Sequence, residues 1–168
     1  MSEKFVYDKS SPDADKYTEV DKFLQLTERY CKKGLGAIAS KVGSKLGLKN
    51  SSRPYSSLQR AVKIINADGI EGVYDDLMHC TRVERCDIFI GKSYLFRQNN
   101  FMCRIKDIKK CYILKEESGD DILYHCYADI SDEAGDETLE LRKLSALKVQ
   151  RQLQFDEIRK LIGIEEQE

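Results

Sequence analysis

From residue 86 onward, apolar and polar side chains alternate in short runs broken by turn residues. At Leu144 this period of two gives way, once, to a helical period that continues to residue 162. Strands are predicted at 86–90 and 94–97, on either side of Gly91-Lys92, and at 101–105, where Phe101, Cys103 and Ile105 share a face. A further strand at 109–116 leads through the hairpin turn Ser118-Gly119-Asp120 into the longest one, 122–130. There Ile122, Tyr124, Cys126 and Ala128 lie on one face and Leu123, His125 and Tyr127 on the other, the pattern of a central or strongly curved strand. An acidic loop at 131–136 and a last strand at 137–144 complete the series. The closing helix aligns Leu144, Leu147, Phe155, Ile158 and Ile162 in one stripe. Arg151 interrupts that stripe, and Val149 and Leu153 fall off it. The expectation is one strongly bent antiparallel sheet of about six strands with a C-terminal helix across an open end and Phe155 buried.

The preceding region reads as helical over 11–83, after a disordered tail at 1–10. Ser11-Pro12-Asp13 forms a helix start: a side-chain acceptor, a proline where a missing N–H does no harm, and an acid that suits the dipole. Tyr17, Val20, Phe23, Leu24 and Cys31 follow at helical spacing, and Lys32-Lys33-Gly34 is a matching stop. A second helix over 35–49 has Leu35, Ile38, Val42 and Leu46 on one stripe, weakened by Gly34, Gly36, Gly43 and Gly47. Residues 50–54 read as a linker. A helix at 57–67 turns Leu58, Ala61, Val62 and Ile65 inward and ends at Asp68-Gly69; a short helix at 71–79 follows. The chain thus divides into a tail (1–10), a helical region (11–83), a β domain with its helix (84–163) and a short tail (164–168), an α+β fold.

Two stretches, Ile88-Phe89-Ile90-Gly91-Lys92-Ser93-Tyr94-Leu95-Phe96 and Phe101-Met102-Cys103-Arg104-Ile105-Lys106-Asp107-Ile108, resemble the early strands of the bacterial pleckstrin-homology-like domains. In that family a short strand precedes an apolar-Asp-Ile step. The resemblance covers residues 84–163 and implies a PH-like half-barrel. The fold usually has seven strands against six here, so one strand is either missing or hidden in residues 70–85. Because the family includes lipid binders, peptide binders and proteins without a known ligand, the resemblance implies a fold more than a function.

Composition narrows the chemistry. The 168 residues are 41% hydrophobic and 34% charged with a net charge of −1, which fits a globular chain and does not point to a polyanion partner. The first residues have no apolar run and carry Glu3, Asp8, Asp13 and Asp15, unlike a secretory signal. The expected setting is cytoplasmic, and the six cysteines are expected as reduced, structural thiols. Cys80, Cys86, Cys103, Cys111 and Cys126 with His79 and His125 contain no Cys-x-x-Cys pair, and most fall in phase with apolar strand positions. No metal and no cofactor are therefore expected. Ile90-Gly91-Lys92-Ser93 lacks both the upstream glycine of a phosphate-binding loop, Cys86 standing there, and a helix after it. His79-Cys80 has no third member for nucleophilic catalysis, and Asp120-Asp121, Asp132-Glu133 and Asp136-Glu137 fall in turns, where acids are solvated. Residues 131–140 do not keep calcium-loop offsets.

Charge segregation is the one non-random polar feature. Residues 29–53 carry seven basic side chains and no acid; residues 116–140 carry ten acids and no Lys or Arg. The two stretches either face one another, within the fold or across a dimer, or face outward. Lys41, Lys45 and Lys49 recur every fourth residue above an apolar stripe, so Lys32, Lys33, Lys41, Lys45 and Lys49 form a candidate docking surface. Tyr30 is the one aromatic in the stretch 29–53, too few stacking rings to suit nucleic acid. The expected function is a non-enzymatic protein or peptide interaction module, with self-association as one form of it. Alternatives are a peripheral anionic-membrane binder using 29–53 and an enzyme of unrecognised type.

Overall fold

The computed structural model describes residues 5, 7–26, 53–97, 101–133 and 135–164. Among them the element order is α1 (Ala14–Leu24), α2 (Arg53–Asp68), α3 (Ile70–His79), β1 (Thr81–Arg82), β2 (Ile88–Ile90), β3 (Tyr94–Arg97), β4 (Phe101–Arg104), a 3-10 turn (Ile105–Asp107), β5 (Ile108–Ser118), β6 (Asp121–Asp132), β7 (Gly135–Lys143) and α4 (Lys148–Ile162). The class is α+β, as the change of period implies. The chain forms two compact units, one of residues 1–75 and 98–102, the other of 76–97 and 103–168.

In the first unit the chain turns at Ser11, whose N–H donates to Asp8 O and whose carbonyl accepts from Ala14 N. The helix starts at Ala14 rather than at Ser11, with Asp13 at its N-cap and Lys16 paired to Asp13 at 3.0 Å. Residues 5 and 7 differ from the expected tail. Phe5 is buried and Tyr7 stacks on Tyr17 with centroids 5.3 Å apart, so three aromatic rings hold this segment to α1. Gln25, at φ +52, ends α1 before the expected Lys32-Lys33-Gly34 stop, which lies outside the described residues, as does the helix expected over 35–49. The α2 helix begins at Arg53, inside the expected linker, and buries Ala61, Val62, Ile64 and Ile65. Gly69 ends it at φ +85, where only glycine is unstrained.

The strands form two antiparallel sheets rather than one bent sheet, with strand orders β1-β2-β3-β4 and β5-β6-β7. The break is the 3-10 turn at Ile105–Asp107, where the chain leaves the extended conformation that sequence periodicity assigned through Ile105. Arg104 and Asp107 pair across this turn at 3.8 Å, and Ile105 N donates to Ser93 O. Between β2 and β3 the predicted Gly91-Lys92 turn is clasped by Asp76 of α3. Its carboxylate accepts three consecutive backbone N–H groups, from Lys92 (2.9 Å), Ser93 (2.8 Å) and Tyr94 (2.8 Å). A Cβ on residue 91 would stand 2.4 Å from Asp76 Cγ, so glycine is required by close approach.

The second sheet is a meander. Ser118 pairs with Asp121, leaving Gly119 (φ +62) and Asp120 as the turn. Asp132 pairs with Gly135, so the acidic loop expected over 131–136 is instead continued strand on either side of a two-residue turn. Cys111, Cys126, Ala128, Ile130, Leu139 and Leu141 are buried on the inner side. Arg97 joins β3 to β7 by donating from Nη1 to Glu140 O (2.6 Å) and Leu141 O (3.0 Å).

The C-terminal helix lies on the inner side, against β2, but its buried stripe differs from the predicted one. Gln154, Ile158 and Ile162 are buried, Phe155 is half-buried with the Arg159 guanidinium 5.6 Å from its ring, and Leu147 is exposed. The buried face is thus rotated by one residue in the first turns, because Gln154 is fully employed there. Its Nε2 donates to Glu84 O and Arg85 O, each at 3.2 Å, and its Oε1 accepts from Ser145 N at 2.9 Å. Val149 and Leu153, off the predicted stripe, are 75% and 65% exposed.

The five described cysteines are free thiols, and Cys86, Cys103, Cys111 and Cys126 are buried. Burial pushes the Cys86 thiol up to about 11, against the smaller opposing pull of Arg142. Contact with Cys111, then burial, holds Cys126 far above the ordinary thiol range.

Three measurements check this packing. Asp76→Ala and Gly91→Ala should each cost about 3 kcal/mol in denaturant unfolding, since each frees three backbone donors, one buried and two part-buried. Both break the same clasp, so the double variant should cost far less than the sum; additive losses would show that they act separately. Gln154→Leu should lose about 2–4 kcal/mol although it adds apolar volume, because two carbonyls and one N–H lose their partner; a neutral effect would remove the amide as the helix anchor. For Cys86 the folded state keeps the proton to a higher pH than the unfolded chain, whose thiols titrate at roughly 8.5. Its contribution is complete below that value and is lost as pH rises towards about 11. The slope should be up to about 1 kcal/mol per pH unit and should be flatter in Cys86→Ala; identical slopes would refute the assignment.

Candidate functional site

Two surfaces of the second unit concentrate chemistry. The first is built around the turn before β2. Cys86 N donates to Val83 O at 3.1 Å, closing a tight turn in which Arg85 adopts φ +53. A non-glycine residue in that region costs about 1–2 kcal/mol, which the Gln154 amide offsets by holding the Glu84 and Arg85 carbonyls. Across from it the segment joining β7 to α4 is fixed by α4's own side chains. Ser145 Oγ donates to Gln150 Oε1 at 2.9 Å, and Arg151 Nη1 donates to the Ser145 and Ala146 carbonyls. The Arg151 guanidinium also lies 3.5 Å from the Tyr124 ring centroid, a cation–π contact that explains why a charged residue occupies the helix's inner side.

Between these walls is an open cleft of about 530 Å³, lined by Arg85, Asp87, Arg142, Lys143, Leu144, Ser145, Gln150 and Gln154. Its one carboxylate is saturated: Asp87 Oδ1 accepts from Arg82 at 3.1 Å and Oδ2 from Arg142 at 2.5 Å. Arg85 stands 3.9 Å from Glu84, both side chains mostly exposed, a pair of little energetic weight. Lys143 forms no ion pair among the described residues. Its register opposite His125 puts Lys143 on the other side of the sheet, so the charged side chains of the cleft are Arg85, Arg142 and Asp87.

The second surface is the outer side of the β5-β6-β7 sheet. Register places Tyr112 opposite Tyr127, Leu114 opposite His125 and Glu116 opposite Leu123, with Glu140 beside Tyr127 and Thr138 beside Asp129. Tyr112 and Tyr127 stack at 6.2 Å, and His125 meets Tyr127 edge-on at 6.5 Å. Asp129 Oδ1 accepts from Tyr112 Oη (3.0 Å) and Thr138 Oγ1 (2.8 Å). His125 Nδ1 is 2.7 Å from Glu140 Oε1, while Nε2 stands 3.5 Å from Glu116 Oε2 without a hydrogen bond. Leu114 is 46% exposed. Glu116, Asp121, Asp129, Asp136 and Glu140 all lie on this side, against Lys110 and Lys143. Part of the acidic run is therefore a strand face interleaved with aromatic rings rather than a set of solvated loops.

The candidate docking residues Lys32, Lys33, Lys41, Lys45 and Lys49 lie outside the described residues. No group of three or more His, Cys, Asp or Glu side chains able to hold a metal forms among the described residues. No helix among them is long and apolar enough to cross a membrane. Sequence reasoning missed Asp76, Asp87, Arg142 and Gln154. No protein-family model, curated protein or solved structure matches the chain.

Proposed function

We propose that the chain is a non-enzymatic protein-interaction module whose second unit is a PH-like half-barrel, and that the outer side of β5-β6-β7 docks a cationic polypeptide segment. The observation that carries this reading is the sheet face itself. Tyr112, Leu114, Leu123 and Tyr127 remain partly or largely accessible, set among more carboxylates than amines. Aromatic rings give contact area and cation–π attraction, while carboxylates select Lys and Arg side chains and speed their encounter. The frame is supported by the element count. Among the described residues there are seven strands and a C-terminal helix, and β1 at Thr81–Arg82 falls within the segment where a seventh strand was sought.

The test is titration of the full chain with short synthetic peptides matched in Leu and Tyr content and differing only in Lys, Gln or Glu at the remaining positions. The Lys peptide should bind best, its affinity should fall about tenfold or more between low and high salt, and Leu114→Ser/Tyr127→Ser should abolish binding while leaving the circular dichroism spectrum intact. Equal binding of the three peptides, or unchanged binding by the folded double variant, would overturn the proposal.

A further inference from the structure

We infer that the open edge of β5 pairs with β5 of a second copy of this chain, joining two three-stranded meanders into one antiparallel sheet, a contact separate from the proposed docking of a peptide on the outer face. In the order β5-β6-β7 the strand β5 is bonded on one side only. Among the described residues, Lys110–Glu116 have no backbone hydrogen bond to a residue outside β6. An edge of this kind is a template for a further strand. A bulge takes Lys109 out of register, so the regular stretch begins at Lys110.

The order of side chains along this edge names the occupant. It starts basic with Lys109 and Lys110, is apolar at Tyr112, Ile113 and Leu114, and ends acidic with Glu116 and Glu117. An antiparallel copy presents the same series backwards. A two-fold axis through Ile113, perpendicular to the sheet, sets Lys110 opposite Glu116 of the second copy and Tyr112 opposite its Leu114. Each of these pairs occurs twice, and Ile113 meets its own copy on the axis. Moving the axis to Tyr112 sets Lys110 opposite Leu114, and moving it to Leu114 sets Tyr112 opposite Glu116. Axes between residues fail, because alternate residues of a strand aim their backbone groups at opposite edges.

The side chains are available for this pairing. Lys110, Leu114 and Glu116 are exposed, and Tyr112 and Ile113 are half-buried. The Tyr112 ring that would cover Leu114 is already held by its bond to Asp129 and its stacking on Tyr127. Among the described residues neither Lys110 nor Glu116 has a Lys, Arg, Asp or Glu partner. Lys110 lies 5.6 Å from the Tyr112 ring centroid and Glu116 lies 3.5 Å from His125 Nε2. Lys115, which falls opposite Cys111 of the second copy, keeps its own Glu117 at 3.1 Å. A lysine on an edge opposes pairing with most strands, and a glutamate placed to meet it selects this one. Pairing over this stretch forms about six to eight backbone hydrogen bonds. It buries less than a standard interface, so the dimer is concentration-dependent.

The test is sedimentation velocity of the full chain over a range of concentrations at low salt. The samples are the wild type, Lys110→Glu, Glu116→Lys, the double variant Lys110→Glu/Glu116→Lys, and an equimolar mixture of the two single variants. The wild type should pass from one chain mass to two as concentration rises. Each single exchange turns two attractions into two repulsions and should weaken self-association at least about tenfold. The double variant should recover it. The mixture should recover it too, because every pair across the edge is again lysine against glutamate, and that recovery shows the single variants to be folded. Hydrogen exchange at low and high concentration should show new protection confined to β5. A wild type that stays monomeric leaves the edge to a strand of another protein and overturns the pairing. So do a dimer indifferent to the single exchanges, a double variant and mixture that do not recover, or protection centred elsewhere. Leu114 and Tyr127 stay intact in these variants and the readout is mass rather than peptide binding, so failure of the docking proposal leaves this one standing, and the reverse.

Discussion

The second unit depends on a single carboxylate. Asp76 accepts from Lys92, Ser93 and Tyr94 in succession, so it does for the β2–β3 turn what a chain of backbone bonds would otherwise do. The turn has few alternatives, because the approach is so close that residue 91 must lack a side chain. Fixing it sets β2 against β3 with Ile88 opposite Arg97, and that register delivers Arg97 to the Glu140 and Leu141 carbonyls of β7. A charged acceptor is effective here because hydrogen bonds to ionised groups are stronger than neutral ones, and three of them share one desolvation cost.

Much of this was legible in the sequence and some could not have been. The Gly91-Lys92 turn, the Ser118-Gly119-Asp120 hairpin and the two-faced strand through Cys126 follow from period two and turn chemistry, and all appear at or near their expected positions. Local signals also placed α3 and the end of α2. What failed was tertiary. Nothing within the β2–β3 turn names Asp76, sixteen to eighteen residues earlier, as its partner. The division into two sheets turns on three residues, Ile105–Asp107, whose alternation is compatible with continued strand. The α4 helix was given an apolar stripe through Leu147 and Phe155 because hydropathy cannot recognise that a glutamine with three partners is as good an occupant of an interior as a leucine.

The same limit applies to the surfaces. The acidic run was visible as composition, but composition does not distinguish a loop from a strand face. Only the registers of β5, β6 and β7 separate the acids that share a side with Tyr112 and Tyr127 from those that do not. Arg85 and Arg142 were not legible as neighbours, because they come from different segments and line one cleft through the bonds of Gln154.

The two short turns of the β5-β6-β7 meander also bear on the order in which the chain assembles. Each hairpin joins neighbours in sequence across only two residues, so its closure removes little chain entropy. The Asp87–Arg142 pair and the Gln154 bonds to Glu84 and Arg85 instead span 55 to 70 residues. Loop-closure entropy thus favours the meander as an early unit, onto which the short strands of the other sheet and α4 condense. The cleft, whose two walls meet only through those distant bonds, is by that argument among the last parts of the second unit to form and among the first to open.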